Sequence, residues 1–184
     1  MWGFEISRAG YISKGCVVPQ MTDQGYWYIS IPTGSHGRTA RIWINRKAVI
    51  QTREGDKVTY QINDWLTYRR TEKGNIVLMP SDSKNETIVY LKAECGYRGS
   101  SSIEIENGER IFSGAYYHSP RGSLGVSDCG LFLVRDGTKF KIKRTGRLYG
   151  APSVIVLKVV FSPNNVIELI KTDEEADEEL KSLL

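Results

Sequence analysis

The segment Arg53-Glu54-Gly55-Asp56-Lys57-Val58-Thr59-Tyr60-Gln61-Ile62 leaves little freedom about its fold. A charged turn containing Gly-Asp is followed by strict alternation of apolar and polar residues. Val58, Tyr60 and Ile62 fall on one side of an extended strand, and Lys57, Thr59 and Gln61 on the other. A degenerate copy, Arg135-Asp136-Gly137-Thr138-Lys139-Phe140-Lys141-Ile142-Lys143, stands 82 residues later, counted from glycine to glycine.

Most of the chain has the same character: short apolar or alternating runs between turn-forming residues. Tyr26 to Ile31 is dense in aromatic and β-branched residues, and Thr39 to Asn45 alternates Ile42 and Ile44 with Arg41 and Trp43. Asn75 to Met79 is a continuous apolar run stopped by Pro80, as expected of a buried strand. Further strands are predicted over Thr87 to Glu94, Ser102 to Glu106, Arg110 to Tyr117, Leu131 to Val134, Phe140 to Arg144 and Val154 to Phe161. Asn107-Gly108 is the strongest hairpin signal, because both residues tolerate positive φ. Arg46 to Gln51 has room for a single helical turn. Little else shows helical periodicity, so the expected class is all-β.

Several features recur in order. Gly25-Tyr26-Trp27-Tyr28 is echoed by Gly114-Ala115-Tyr116-Tyr117, and Ile76-Val77-Leu78 by Ile155-Val156-Leu157. A loop rich in Gly, Ser, His and Arg follows each aromatic strand. This order predicts two similar β-barrel-like units by internal duplication, residues 1–84 and 85–165, followed by an acidic C-terminal helix or tail over 166–184.

Charge divides the chain in the same way. Residues 166–184 carry seven acids and two lysines, leaving the first 165 residues with 23 basic against 14 acidic side chains, a net +9. Such a body attracts polyanions, and an acidic tail can compete for the same surface. Cys16, Cys95 and Cys129 are odd in number and far apart, with no Cys-x-x-Cys pair, which argues against a disulfide framework and a zinc site. No apolar run approaches the roughly 18 residues of a membrane span, and the N-terminal residues lack the pattern of a signal peptide. A cytoplasmic protein with no membrane association is expected.

The segment from about residue 37 to 81 resembles the swapped-hairpin AbrB/SpoVT/MazE-like family of cradle-loop units. The resemblance rests on Arg41-Ile42-Trp43-Ile44, the short helical stretch Arg46 to Thr52, the turn Glu54-Gly55-Asp56-Lys57-Val58, and the strand Asn75 to Pro80. The chain departs from that pattern at Asn45, where proline is usual, and in a longer connection from Asp64 to Gly74. The resemblance implies DNA binding by cations around the first strand of the unit, namely Arg38, Arg41, Arg46 and Lys47. It also implies pairing of units, either within one chain or in a homodimer.

Other cations fit the same role. Arg69 and Arg70 lie in a basic, aromatic connection, and the second half offers Arg121, Lys141, Lys143, Arg144 and Arg147. Such side chains neutralise phosphates, and Trp43, Tyr68 and Tyr149 are candidates for stacking on bases. The expected function is non-catalytic, regulatory binding of nucleic acid, DNA in preference to RNA, without a cofactor or metal. A protein-interaction or structural β-module is the first alternative. The second is a metal-independent ribonuclease in which His36 and His118, with Arg38 or Arg121, supply acid, base and phosphate clamp. Glu104 and Glu106 are the only tidy carboxylate pair for metal chemistry, and no P-loop spacing occurs.

Overall fold

A computed structural model of the chain describes residues 5–7, 10–17, 19–32, 39–94, 99–118, 125–135, 138–146, 154–161, 169–170 and 177–184. In chain order its strands are β1 (Glu5–Ser7), β2 (Gly10–Val17), β3 (Gln20–Thr22), β4 (Trp27–Pro32) and β5 (Thr39–Ile44). A 3-10 turn over Arg46–Ala48 leads into β6 (Val49–Glu54), β7 (Lys57–Ile62), β8 (Leu66–Arg70) and β9 (Ile76–Pro80). There follow β10 (Glu86–Glu94), β11 (Gly99–Ile105), β12 (Gly108–His118), β13 (Gly125–Arg135), β14 (Lys139–Gly146), β15 (Val154–Phe161) and β16 (Leu169–Ile170). The α-helix α1 (Glu178–Leu183) closes the described chain. The protein is all-β with a short acidic C-terminal helix.

The chain divides into two compact units, each assembled from three segments. Unit 1 comprises Met1–Gly15, Pro32–Ala40 and Ile88–Val160, and unit 2 comprises Cys16–Ile31, Arg41–Thr87 and Phe161–Leu184.

Unit 1 is built on an eight-stranded sheet in the order β1-β14-β11-β13-β10-β15-β2, with β12 also paired to β13. Its core gathers Val89, Leu91, Ile103, Phe132 and Val134, alternate residues of their strands. One polar crosslink runs through this sheet. Arg110 Nη1 and Nη2 donate to Asp128 Oδ1 and Oδ2 at 2.9 and 2.7 Å, and the guanidinium lies 4.5 Å from the Phe132 ring centroid. Asp128 Oδ2 also accepts from the Ile103 amide at 2.6 Å, and Arg110 Nη2 donates to the Ile103 carbonyl at 3.1 Å. The two half-buried charges thus meet one another and nearby backbone groups, which offsets the cost of partly desolvating them.

Unit 2 carries a six-stranded sheet in the order β16-β3-β4-β5-β9-β8, together with the β6–β7 hairpin. The apolar run of β9 is buried because it lies between β5 and β8, parallel to the first and antiparallel to the second. Alternation sorts the rest. Ile29, Ile31, Ile42, Ile44 and Leu78 are buried on one face of the sheet, where each such side chain contributes about 2 kcal/mol. Tyr28, Trp43 and Val77 occupy the other face and form a core cluster with Leu180 of α1 and with Leu184, which caps that helix.

The Gly-Asp turn at residue 55 closes the β6–β7 hairpin, with Gly55 at φ +60°, where an L side chain is strained. Ile62 is buried, and Tyr60 stacks at a tilt on Trp27 with ring centroids 5.1 Å apart. Its degenerate copy serves a different connection. Arg135 and Thr138 exchange backbone and side-chain hydrogen bonds at 3.0 Å, but they join β13 to β14, which are not neighbours in the sheet. Asp136 and Gly137 lie outside the described residues.

Asn107-Gly108 departs from the expected hairpin in the same sense. Asn107 does adopt φ 55°, yet β11 pairs with β14 and β13, while β12 pairs with β13. The turn bends the chain as its residues predict, and more distant ladders decide the pairing. Both sheets run open from edge to edge among the described residues, without closing into a barrel.

Candidate nucleic-acid interface

The face of the unit 2 sheet that bears Tyr28 is where cations and aromatic rings come together. Trp43 stands opposite Val77 across β5 and β9, and Val77 stands opposite Arg69 across β9 and β8. The three side chains therefore share one face, and Arg41, two residues before Trp43, shares it too. The Arg41 guanidinium carbon lies 4.4 Å from the Tyr28 ring centroid and 5.4 Å from that of Trp43. Tyr28 and Trp43 meet edge to face with centroids 6.0 Å apart. The cation thus sits against two electron-rich rings, an arrangement worth about 1 kcal/mol at a half-exposed site.

Helix α1 covers part of this face. Asp177 caps it, its Oδ1 accepting from the Leu180 amide at 2.8 Å, and Glu178 and Glu179 favour the positive end of the helix dipole. Leu180, Leu183 and Leu184 form a stripe spaced three and four residues apart, packed against the Tyr28–Trp43–Val77 cluster. Polar contacts fix the ends. Both oxygens of Glu179 accept from the Glu72 amide at 3.2 and 3.1 Å, and Lys73 Nζ lies 3.6 Å from Asp177 Oδ2. At the other end the Arg46 amide donates to the Leu184 carbonyl at 3.1 Å, and Asn45 Nδ2 to that of Leu183 at 2.6 Å.

The remaining expected residues distribute unevenly. Arg46 and Lys47 are exposed on the 3-10 turn, where the Lys47 amide donates to Asn45 Oδ1 at 2.9 Å. Arg69 and Arg70 are exposed on β8 and point to opposite faces by alternation. Lys143 is exposed on β14 but its Nζ is paired with Glu104 Oε1 of β11 at 2.5 Å. Lys141 and Arg144 belong to the same strand, and their side chains lie outside the described residues. Arg38, Arg121, Arg147, His36 and Tyr149 lie outside them altogether. His118 ends β12 opposite Gly125, and its side chain is likewise outside them. The two histidines of the ribonuclease reading therefore have no described geometry. Glu106 is exposed, and among the described residues no three His, Cys, Asp or Glu side chains are grouped as a metal ion requires. Likewise, no helix among them is long and apolar enough to cross a membrane.

Two of the three expected stacking residues can be placed. Tyr68, opposite Leu78, belongs to the other face of the sheet and is half-buried. Trp43 is on the cation-bearing face but only 4% exposed, because α1 and Arg41 lie over it. Tyr28 and Lys73 belong to the site without having been expected there. The alternation of Tyr26, Tyr28 and Ser30 against Trp27, Ile29 and Ile31 was the available signal for Tyr28. Nothing local marks Lys73, since its partner Asp177 is 104 residues away in the chain.

No family model, curated protein or solved structure matches the chain.

Proposed function

We propose that the protein is a non-catalytic DNA-binding protein whose unit 2 sheet receives the polyanion. The reading rests chiefly on one observation: Arg41 is stacked on Tyr28 and Trp43, on the same sheet face as Arg69. Arg46, Lys47 and Lys73 stand on the turns that border β5, β8 and β9. Residues 41–87, which carry these strands and turns, hold nine basic against six acidic side chains, and such a local excess of cations draws phosphates by releasing condensed counterions. The resemblance of residues 37–81 to swapped-hairpin DNA-binding units points the same way, towards Arg41, Arg46 and Lys47.

The test is a salt titration with a labelled DNA duplex, read by fluorescence anisotropy. Affinity falls steeply with salt, and Arg46→Ala and Arg69→Ala each reduce the slope of log K against log salt by about 1. An isotherm that is flat between low and physiological salt excludes the reading.

A further inference from the structure

We propose that α1 is a displaceable cover over a base-stacking platform formed by Tyr28 and Trp43, and that the platform takes single-stranded nucleic acid. The inference rests on the DNA-binding reading of unit 2 and specifies the ligand class and its control.

Consider what the helix occupies. Its leucines pack in one cluster with the two rings that Arg41 stacks against, its Asp177 carboxylate faces Lys73, and its Glu179 carboxylate takes the backbone amide of Glu72. A nucleotide strand presents the same three chemistries. A base offers a flat apolar surface to aromatic rings, and phosphate oxygens suit an ammonium group and a backbone N–H. The segment holds the site as an intramolecular imitation of a strand, and a real strand competes with it group for group.

The attachment suits release. Six residues are far fewer than the roughly 12–15 at which a helix begins to hold its shape alone in water. The helix therefore exists only while docked. Lys73 is 72% exposed, so its pairing with Asp177 is screened and contributes little. The docking depends on Leu180 and Leu184 and on hydrogen bonds to Asn45, Arg46 and Glu72. Once the segment leaves, Trp43 and Tyr28 lose the leucines that bury them, while Arg41 remains stacked beside them as a phosphate partner. Duplex DNA keeps its bases in its own stack, whereas a single strand can splay them onto rings.

Two variants of the full chain test this without altering any charge: Leu180→Ala with Leu184→Ala, and Leu180→Ser with Leu183→Ser and Leu184→Ser. Release is read from hydrogen exchange at the Lys181 amide, which is bonded to the Asp177 carbonyl. Integrity of the sheet is read from the Asn45 amide, bonded to the Leu78 carbonyl. The probe is a fluorescein-labelled oligothymidylate, measured alongside a duplex of the same length. The expected result is faster exchange at Lys181, unchanged exchange at Asn45, and oligothymidylate affinity raised at least about tenfold, most of it lost again on adding Trp43→Leu. Fast exchange at Lys181 with affinity within about twofold of the parent overturns the cover. If Arg69→Ala still weakens duplex binding in that case, the DNA-binding reading stands by itself. If neither probe binds any form of the protein, both fall.

Discussion

Asn45 and Leu183 are joined by a 2.6 Å hydrogen bond from Nδ2 to the main-chain carbonyl, across 138 residues of sequence. The other end of the same amide accepts from the Lys47 backbone at 2.9 Å and shapes the 3-10 turn after β5. A single side chain therefore both ends a central strand and holds α1 beside it. The two roles separate chemically. Asn45→Asp keeps the acceptor that caps the turn and loses the donor that reaches Leu183. Asn45→Ala loses both. Exchange at the Lys181 amide should quicken about tenfold in either variant, corresponding to one hydrogen bond. Only Asn45→Ala should also quicken exchange at Ala48, whose amide is bonded to the Asn45 carbonyl at 2.9 Å.

The Arg110–Asp128 pair predicts a strong and non-additive response. Asp128→Ala strips the guanidinium of its carboxylate and leaves the Ile103 amide without its acceptor. The expected loss is about 3 kcal/mol in the denaturant unfolding of unit 1. Adding Arg110→Met removes the orphaned charge while retaining an apolar side chain over Phe132. The double variant should therefore recover more than 1 kcal/mol relative to the single one, and simple additivity would show that the pair is only a surface contact.

Two glycines that are needed for different reasons should fail by different amounts. A Cβ on Gly130 would stand 2.2 Å from the Phe112 carbonyl oxygen, a backbone atom beside the register shift between Arg110 and Phe112. Gly130→Ala should cost about 3 kcal/mol, because a strand must move to admit it. At Gly55 nothing lies within 4 Å of the added methyl, and only the φ of +60° opposes it. Gly55→Ala should cost about 1 kcal/mol. Unfolding midpoints of the two variants compare them directly.

Arg41→Lys preserves charge but exchanges a flat guanidinium for a compact ammonium that stacks poorly. Its salt slope for duplex binding should match the parent, since the phosphate count is unchanged. Stability should drop by about 1 kcal/mol through the lost contact with Tyr28 and Trp43. A changed slope with unchanged stability would place Arg41 in solvent rather than against the rings.

What could be foreseen from the residues divides along the range of the forces involved. Val58, Tyr60 and Ile62 announce their strand because a two-residue period needs only neighbours, and Gly55 announces its turn because positive φ is a property of one residue. The pairing of β11 with β14 rather than β12 is set by ladders between distant segments, so the Asn107-Gly108 turn could not reveal it. The same holds at the site. Alternation placed Arg41 beside Trp43, but the burial of Trp43 comes from leucines at the far end of the chain. Residues 166–184 read only as an acidic helix or tail, with nothing in the spacing of Leu180 and Leu184 to say which surface they meet.

Each unit draws on early and late segments of the chain, and that has a consequence for synthesis. Val77 emerges from the ribosome long before Leu180 does, an interval on the order of ten seconds at ordinary elongation rates. Throughout it the aromatic face of β4 and β5 has no leucines to pack on, and β3 lacks the neighbour it will find in β16. The growing chain must carry an open sheet edge and two bare rings until residues 169–184 arrive. During that window the bare edge can accept any other strand that reaches it first.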